Sequence, residues 1–141
     1  MRWLTAAVVL ALGVAGCGGG KPKPEQATLT AVTVHASSVD FAFDSQPRTV
    51  KAAYVAAASV AECGSGRPVR PRGAAVAVVH FMPAISQGVP KRIIMPSGPV
   101  LDVAKVCDFE ADVAWAIGLE RRLPLHVSRD GSTVTVTFGR P

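Results

Sequence analysis

The chain has 141 residues, a formal net charge of +5 and 49% hydrophobic residues against 18% charged ones. That length suits one domain with its own core and is short for two. The basic excess is mild and scattered, which fits an anionic neighbourhood such as lipid headgroups or wall polymers; a nucleic-acid binder is the rival reading, set aside because the export signal at the N-terminus takes the chain away from nucleic acid.

The first residues read as an export signal. Arg2 supplies a single positive charge, and Leu4 to Gly16 carries none. This apolar run is shorter than the roughly 20 residues that a membrane-spanning helix needs. It ends in Val14-Ala15-Gly16-Cys17, which resembles the lipobox of bacterial lipoproteins. Small residues there admit the backbone to a peptidase cleft, and the Cys17 thiol is the atom that accepts a diacylglyceryl group. The alternative is an ordinary signal peptide that happens to contain a cysteine. Under the lipobox reading, residues 1–16 are removed and Cys17 holds the protein by lipid at the outer face of a membrane. Two or more acyl chains make such an anchor firm.

Residues 17–27 are rich in Gly, Pro and Lys and read as a linker. Lys21 and Lys23 lie close enough to the anchor to touch anionic headgroups. From residue 28 to 141 the chain reads as one domain in which the hydrophobic period is two. Thr28 to His35 is rich in Thr and Val, Val39, Phe41 and Phe43 alternate with small or polar residues, and Thr49 to Val55 is a third extended run. Ala74 to Phe81 is nearly continuous in apolar residues, as in a strand covered on both faces. Val100 to Val106 follows, then the alternating sets Val113, Trp115, Ile117; Leu123, Leu125, Val127; and Val134, Val136, Phe138. Asp130-Gly131 between the last two is a hairpin signal. The alanines of Ala52 to Ala61 allow a short helical turn. About eight short strands separated by Gly- and Pro-rich turns point to an all-β sandwich or barrel.

Besides Cys17, the cysteines are Cys63 and Cys107. In an oxidising compartment, two remaining cysteines in a small domain suggest one disulfide, stabilising by about 4 kcal/mol on the chain-entropy estimate. Two separate buried thiols are the alternative.

Catalytic chemistry has little footing. His35, His80 and His126 are far apart and make no metal spacing. Gly64-Ser65-Gly66 lacks the full G-x-S-x-G pattern of a nucleophile elbow. Asp108, Glu110 and Asp112 would share one side of an extended segment, a spacing usable for calcium or carbohydrate; the plainer reading is a solvated edge with Phe109 turned inward. There is no phosphate-binding glycine loop and no C-x-x-C, so no cofactor and no metal is expected. The basic residues form three groups: Arg67, Arg70 and Arg72; Lys91 and Arg92; Arg121 and Arg122. If strands bring two groups together, arginines could bind carboxylate or phosphate bidentately. Apart, they are solvated loop charges.

The C-terminal half carries a more specific likeness. Val106-Cys107-Asp108-Phe109-Glu110-Ala111-Asp112-Val113-Ala114-Trp115-Ala116-Ile117-Gly118-Leu119 is followed by Arg121-Arg122-Leu123-Pro124-Leu125-His126-Val127 and a final strand. This resembles the AMIN-like domain of lipoproteins and secreted proteins of high-GC Gram-positive bacteria. Ser38-Val39-Asp40-Phe41-Ala42-Phe43 resembles that family's first conspicuous strand, so the likeness covers about residues 28–139. Cys107 and Ala111 stand where the family pattern has glycines, and Leu125 where it has an aromatic. The resemblance implies a single all-β sandwich with no catalytic residues. The related AMIN domain targets cell-wall amidases to the envelope, which makes peptidoglycan a ligand by analogy of fold. The expectation is a lipid-anchored, extracytoplasmic, non-enzymatic protein. It would bind or scaffold an envelope component, candidate contacts being Arg67, Arg70, Arg72, Arg121 and Arg122. The alternative is a protein-interaction subunit tethered beside an envelope enzyme or transporter.

Overall fold

The computed structural model describes residues 25–140; Cys17, the signal sequence and most of the 17–27 segment lie outside the described residues. The described chain forms β1 (Ala27–Val34), β2 (Ser38–Phe43), β3 (Thr49–Val55), β4 (Ala75–Met82), β5 (Ala84–Ser86), β6 (Arg92–Ile94), β7 (Val100–Phe109), β8 (Asp112–Leu119), β9 (Leu125–Asp130) and β10 (Thr133–Phe138). Each of the eight expected segments contributes a strand. The count among the described residues is nevertheless ten, because β5 and β6 have three residues each. Runs that short carry no readable alternation. β1 also starts one residue before the expected domain boundary: Ala27 is buried, and its N–H donates to the Pro83 carbonyl at 3.1 Å.

The strands make two five-stranded sheets, ordered β5-β1-β2-β10-β9 and β3-β4-β8-β7-β6. Every pairing is antiparallel except β1 with β5. Period-two alternation sends one face of each sheet into a shared core. The first sheet supplies Leu29, Phe41, Val134 and Phe138, and the second supplies Val79, Phe81, Trp115 and Ile117. The Phe41 ring centroid lies 4.8 Å from that of Phe81 and 6.0 Å from that of Trp115.

β4 and β8 are buried on their second face as well. Val76, Ala114 and Ala116 pack with Val60 and Val106 in a separate apolar cluster. The cover is the segment 56–73, a strap that follows β3 and opens with a 3-10 turn at Ala57–Ser59, inside the alanine-rich run. Two contacts fasten it to β7. Within the strap Val69 N–H donates to Val60 C=O, and across to β7 Cys63 N–H donates to Val106 C=O, each at 2.9 Å. Cys63 and Cys107 form a disulfide with Cα atoms 5.1 Å apart, so the separate-thiol alternative falls. Closing a loop of 44 residues stabilises by about 4 kcal/mol on the chain-entropy estimate. At the strap's end, the Arg72 carbonyl crosses Gly118 so closely that a Cβ there would lie 2.0 Å from its oxygen. That approach is why the strand carrying Trp115 has a glycine near its end.

Gly131 and Ser132 join β9 to β10, with Gly131 at φ 56, so Asp130 is the last strand residue and the turn lies one residue beyond the Asp-Gly signal. Glu110 and Ala111 join β7 to β8 at φ 50 and 62. Two successive left-handed residues are the type I′ pattern, for which a glycine would be the unstrained choice at Ala111.

Candidate functional site

The expected arginines divide between the two ends of the second sheet. Ala74 N–H donates to Leu119 C=O at 2.9 Å, and Arg72 lies against Gly118. The backbone of Arg72 therefore lies beside the C-terminal end of β8, from which Arg121 and Arg122 follow after the exposed Glu120. All three arginines are exposed. Arg122 lies over the Tyr54 ring, 4.7 Å from its centroid. Tyr54 in turn donates its hydroxyl to Leu123 C=O at 2.7 Å and accepts Leu123 N–H at 3.0 Å. The turn after β8 is thus tied to the end of β3, which fixes where Arg121 and Arg122 project. Arg67 does not join them. It sits near Cys63 and is engaged by Glu62, at 2.9 Å from Nη2 and 3.0 Å from Nε. The Ser65 hydroxyl, donating at 2.8 Å, and Arg67 hold the Glu62 carboxyl below the ordinary carboxylate range. Gly64-Ser65-Gly66 is accordingly a turn whose hydroxyl serves Glu62.

Arg92, expected among solvated loop charges, is something else. Its guanidinium grips Asp102, with Nε to Oδ1 at 3.0 Å and Nη2 to Oδ2 at 2.5 Å. Asp102 is fully buried and is the one charged residue in the core of the described chain. It also accepts the Arg72 N–H at 2.7 Å, while Arg92 Nη2 donates to Arg70 C=O at 3.0 Å. The bond to Asp102 raises the Arg92 pKa above its ordinary value. This ion pair joins β6, β7 and the strap in one polar knot and positions Arg70 and Arg72. An acid inside the apolar run Val100 to Val106 was the sequence signal, but nothing in its spacing named the partner.

The acidic triplet also comes apart. Asp108 and Asp112 lie on opposite sides of the β7–β8 turn, and Glu110 sits at its tip. Asp108 accepts from the Ser86 hydroxyl and lies 3.4 Å from Lys105 Nζ. Asp112 pairs with His80 Nδ1 at 3.1 Å. Phe109, expected to turn inward, is 59% exposed, because the turn ends the strand before its side chain can reach the core. Among the described residues, no group of three or more His, Cys, Asp or Glu is arranged to hold a metal ion.

A cavity of about 260 Å³ lies beneath the strap, with Val78, Val106 and Ala114 in its wall and His80 and Asp112 among its polar groups. A carboxylate only accepts, so His80 Nδ1 is the donor of this bond. Ser59 lines the same cavity, but its hydroxyl donates to Ala56 C=O at 2.7 Å. His35 is likewise engaged, with Nε2 2.9 Å from Asp40 Oδ2.

Compared with known protein families, characterised proteins and solved structures, the chain finds no match in any of the three.

Proposed function

We propose that this is an exported lipoprotein, anchored through Cys17 at the outer face of a membrane, whose AMIN-like β-sandwich binds an envelope component without catalysing a reaction. Peptidoglycan, or another anionic wall polymer, is the ligand of this reading. Two sheets sharing one core support the sandwich, and a disulfide supports an oxidising compartment. The observation that carries the binding reading is that the backbone of Arg72 lies beside the end of β8 that leads into Arg121 and Arg122, all three side chains being exposed. Arginines suit carboxylate and phosphate because their donors form a planar fork.

The anchor is tested by labelled fatty acid. Wild type incorporates it, and Cys17→Ala leaves an unlabelled precursor; label in the variant would remove the assignment. Ligand binding is tested by sedimentation with purified sacculi. The wild-type protein pellets at low salt and is released as salt rises toward 1 M, where the screening length falls to about 3 Å. An Arg121→Ala, Arg122→Ala double variant pellets severalfold less while its unfolding midpoint stays close to wild type. Pelleting that ignores both salt and the double substitution rejects the arginine contacts. No pelleting at all moves the assignment to a tethered protein-interaction subunit.

A further inference from the structure

The end of the domain opposite Arg121 and Arg122 is the end at which the chain enters. Ala27 N–H donates to Pro83 C=O at 3.1 Å, and the next residue, Ala84, donates to Ala111 C=O at 2.8 Å. The start of β1 is therefore next but one to the β7–β8 turn. From Asp112 to Leu119, β8 runs away from this turn for about 23 Å at roughly 3.3 Å per residue. Ala27 is ten positions along the chain from Cys17, a reach of at most ~36 Å.

Beside this turn is a cleft of about 300 Å³ whose walls include Glu62, Arg67, Lys91, Lys105, Asp108 and Phe109. Its charges do not cancel. Arg67 is engaged by Glu62 and Lys105 by Asp108. Lys91 has no acidic side chain within 4.0 Å among the described residues. Lys91, whose charge also acts on the Glu62 carboxyl, is the one cation left over; it shares the cleft with Phe109, which is 59% exposed, and Ile85 on β5 is 40% exposed. A cation beside exposed apolar side chains matches the boundary between phosphate headgroups and acyl chains. Glu110 at the tip opposes deeper entry, since a carboxylate resists transfer into hydrocarbon.

We propose that this cleft seats the phosphate of an anionic phospholipid, with Lys91 as its contact and Phe109 lodged among the neighbouring acyl chains. The proposal rests on the anchoring at Cys17 inferred above, which brings this end to a bilayer. The domain then stands on its β7–β8 turn and presents Arg72, Arg121 and Arg122 outward.

The test is hydrogen exchange on the lipoprotein in bilayer discs of phosphatidylcholine, with and without an equal part of phosphatidylglycerol. The Glu110 and Ala111 amides lie in the turn, outside the strand ladder. They should exchange at least about fivefold more slowly with phosphatidylglycerol, the value of roughly 1 kcal/mol per cation at an anionic surface. Lys91→Glu should erase that difference, and Phe109→Ser should reduce protection in both bilayers. Arg121→Ala with Arg122→Ala should change neither. Equal exchange in the two bilayers, protection that survives Lys91→Glu, or the same protection from inorganic phosphate in phosphatidylcholine discs overturns the proposal. Protection at Arg121 to Leu125 instead overturns it by reversing the orientation. Should the fatty-acid label show no lipid on Cys17, the chain is added to vesicles of the same two compositions. Phosphatidylglycerol-dependent protection there keeps the cleft while the anchor falls, and its absence removes both.

Discussion

Replacing Trp115 with alanine is expected to cost about 3–5 kcal/mol, the range for truncating an aromatic in a packed core. The side chain is fully buried on the middle strand of the second sheet and reaches across to Phe41. Nothing near it can collapse easily into the space. Both flanking strands, β4 and β7, are pinned on their far side by the strap, and Val113 and Ile117 are fixed by the same ladder. A domain of this size has about 5–15 kcal/mol of stability to lose, so the variant should lie close to its unfolding transition at 25 °C. Trp115→Phe separates volume from polarity. The indole Nε1 is buried with no hydrogen-bond partner among the described residues, and burying such a donor costs about 1–3 kcal/mol. Phenylalanine leaves a smaller void and removes that donor, so its cost should fall well below that of alanine. Urea unfolding of the three proteins checks this. A Trp115→Ala midpoint equal to wild type would show that the ring carries no core packing.

Trp115 was legible in the sequence because an edge-free alternation, Val113, Trp115, Ile117, leaves only one way to bury a large ring. The same rule found the eight longer strands, and it found Phe41 and Phe138 as core residues. It misread the second face of β8. Ala114 and Ala116 would face water in a two-layer protein, yet they are buried, because a segment with almost no regular structure lies over them. Alternation detects strands and is silent about a strap. Two features hinted at that cover: the continuous apolar run Ala74 to Phe81, which reads as a strand covered on both faces, and the half-cystines, since Cys63 lies in the strap and Cys107 on β7. Phe109 was misjudged for a related reason: register was extended through Glu110 and Ala111, where the backbone turns at positive φ. A glycine at Ala111 would have announced that turn. The arginine groups were visible as groups, but their distribution depends on where the strap ends, and contacts such as Arg72 with Gly118 have no sequence signature.

Asp102 is the case in which the missed contact has the largest expected effect. Arg92→Ala should cost about 3–5 kcal/mol, the range for removing one partner of a buried ion pair. The reason is asymmetry of burial. Asp102 has no exposed surface, whereas the Arg92 side chain is 40% exposed. Without Arg92 the carboxylate stays in the interior with the Arg72 N–H as its remaining hydrogen-bond donor. Without Asp102 the guanidinium can turn to water, so Asp102→Asn should cost less than Arg92→Ala. A surface pair would give about 0–1 kcal/mol and no such asymmetry. Replacing both at once, Arg92→Met with Asp102→Leu, should recover much of the loss, since a well-packed apolar pair often matches a buried ionic one. These variants are compared by their urea midpoints, and equal single effects below about 1 kcal/mol would contradict the buried-pair description. The knot also links stability to the proposed site. Asp102 holds the Arg72 backbone and Arg92 holds that of Arg70, so Arg92→Ala should loosen the end of the strap while β8 and the turn at Arg121 and Arg122 stay bound to Tyr54. Sacculus binding by Arg92→Ala under conditions where it remains folded should therefore fall between wild type and the Arg121→Ala, Arg122→Ala variant. Binding equal to wild type would show that Arg70 and Arg72 take no part in holding the polymer.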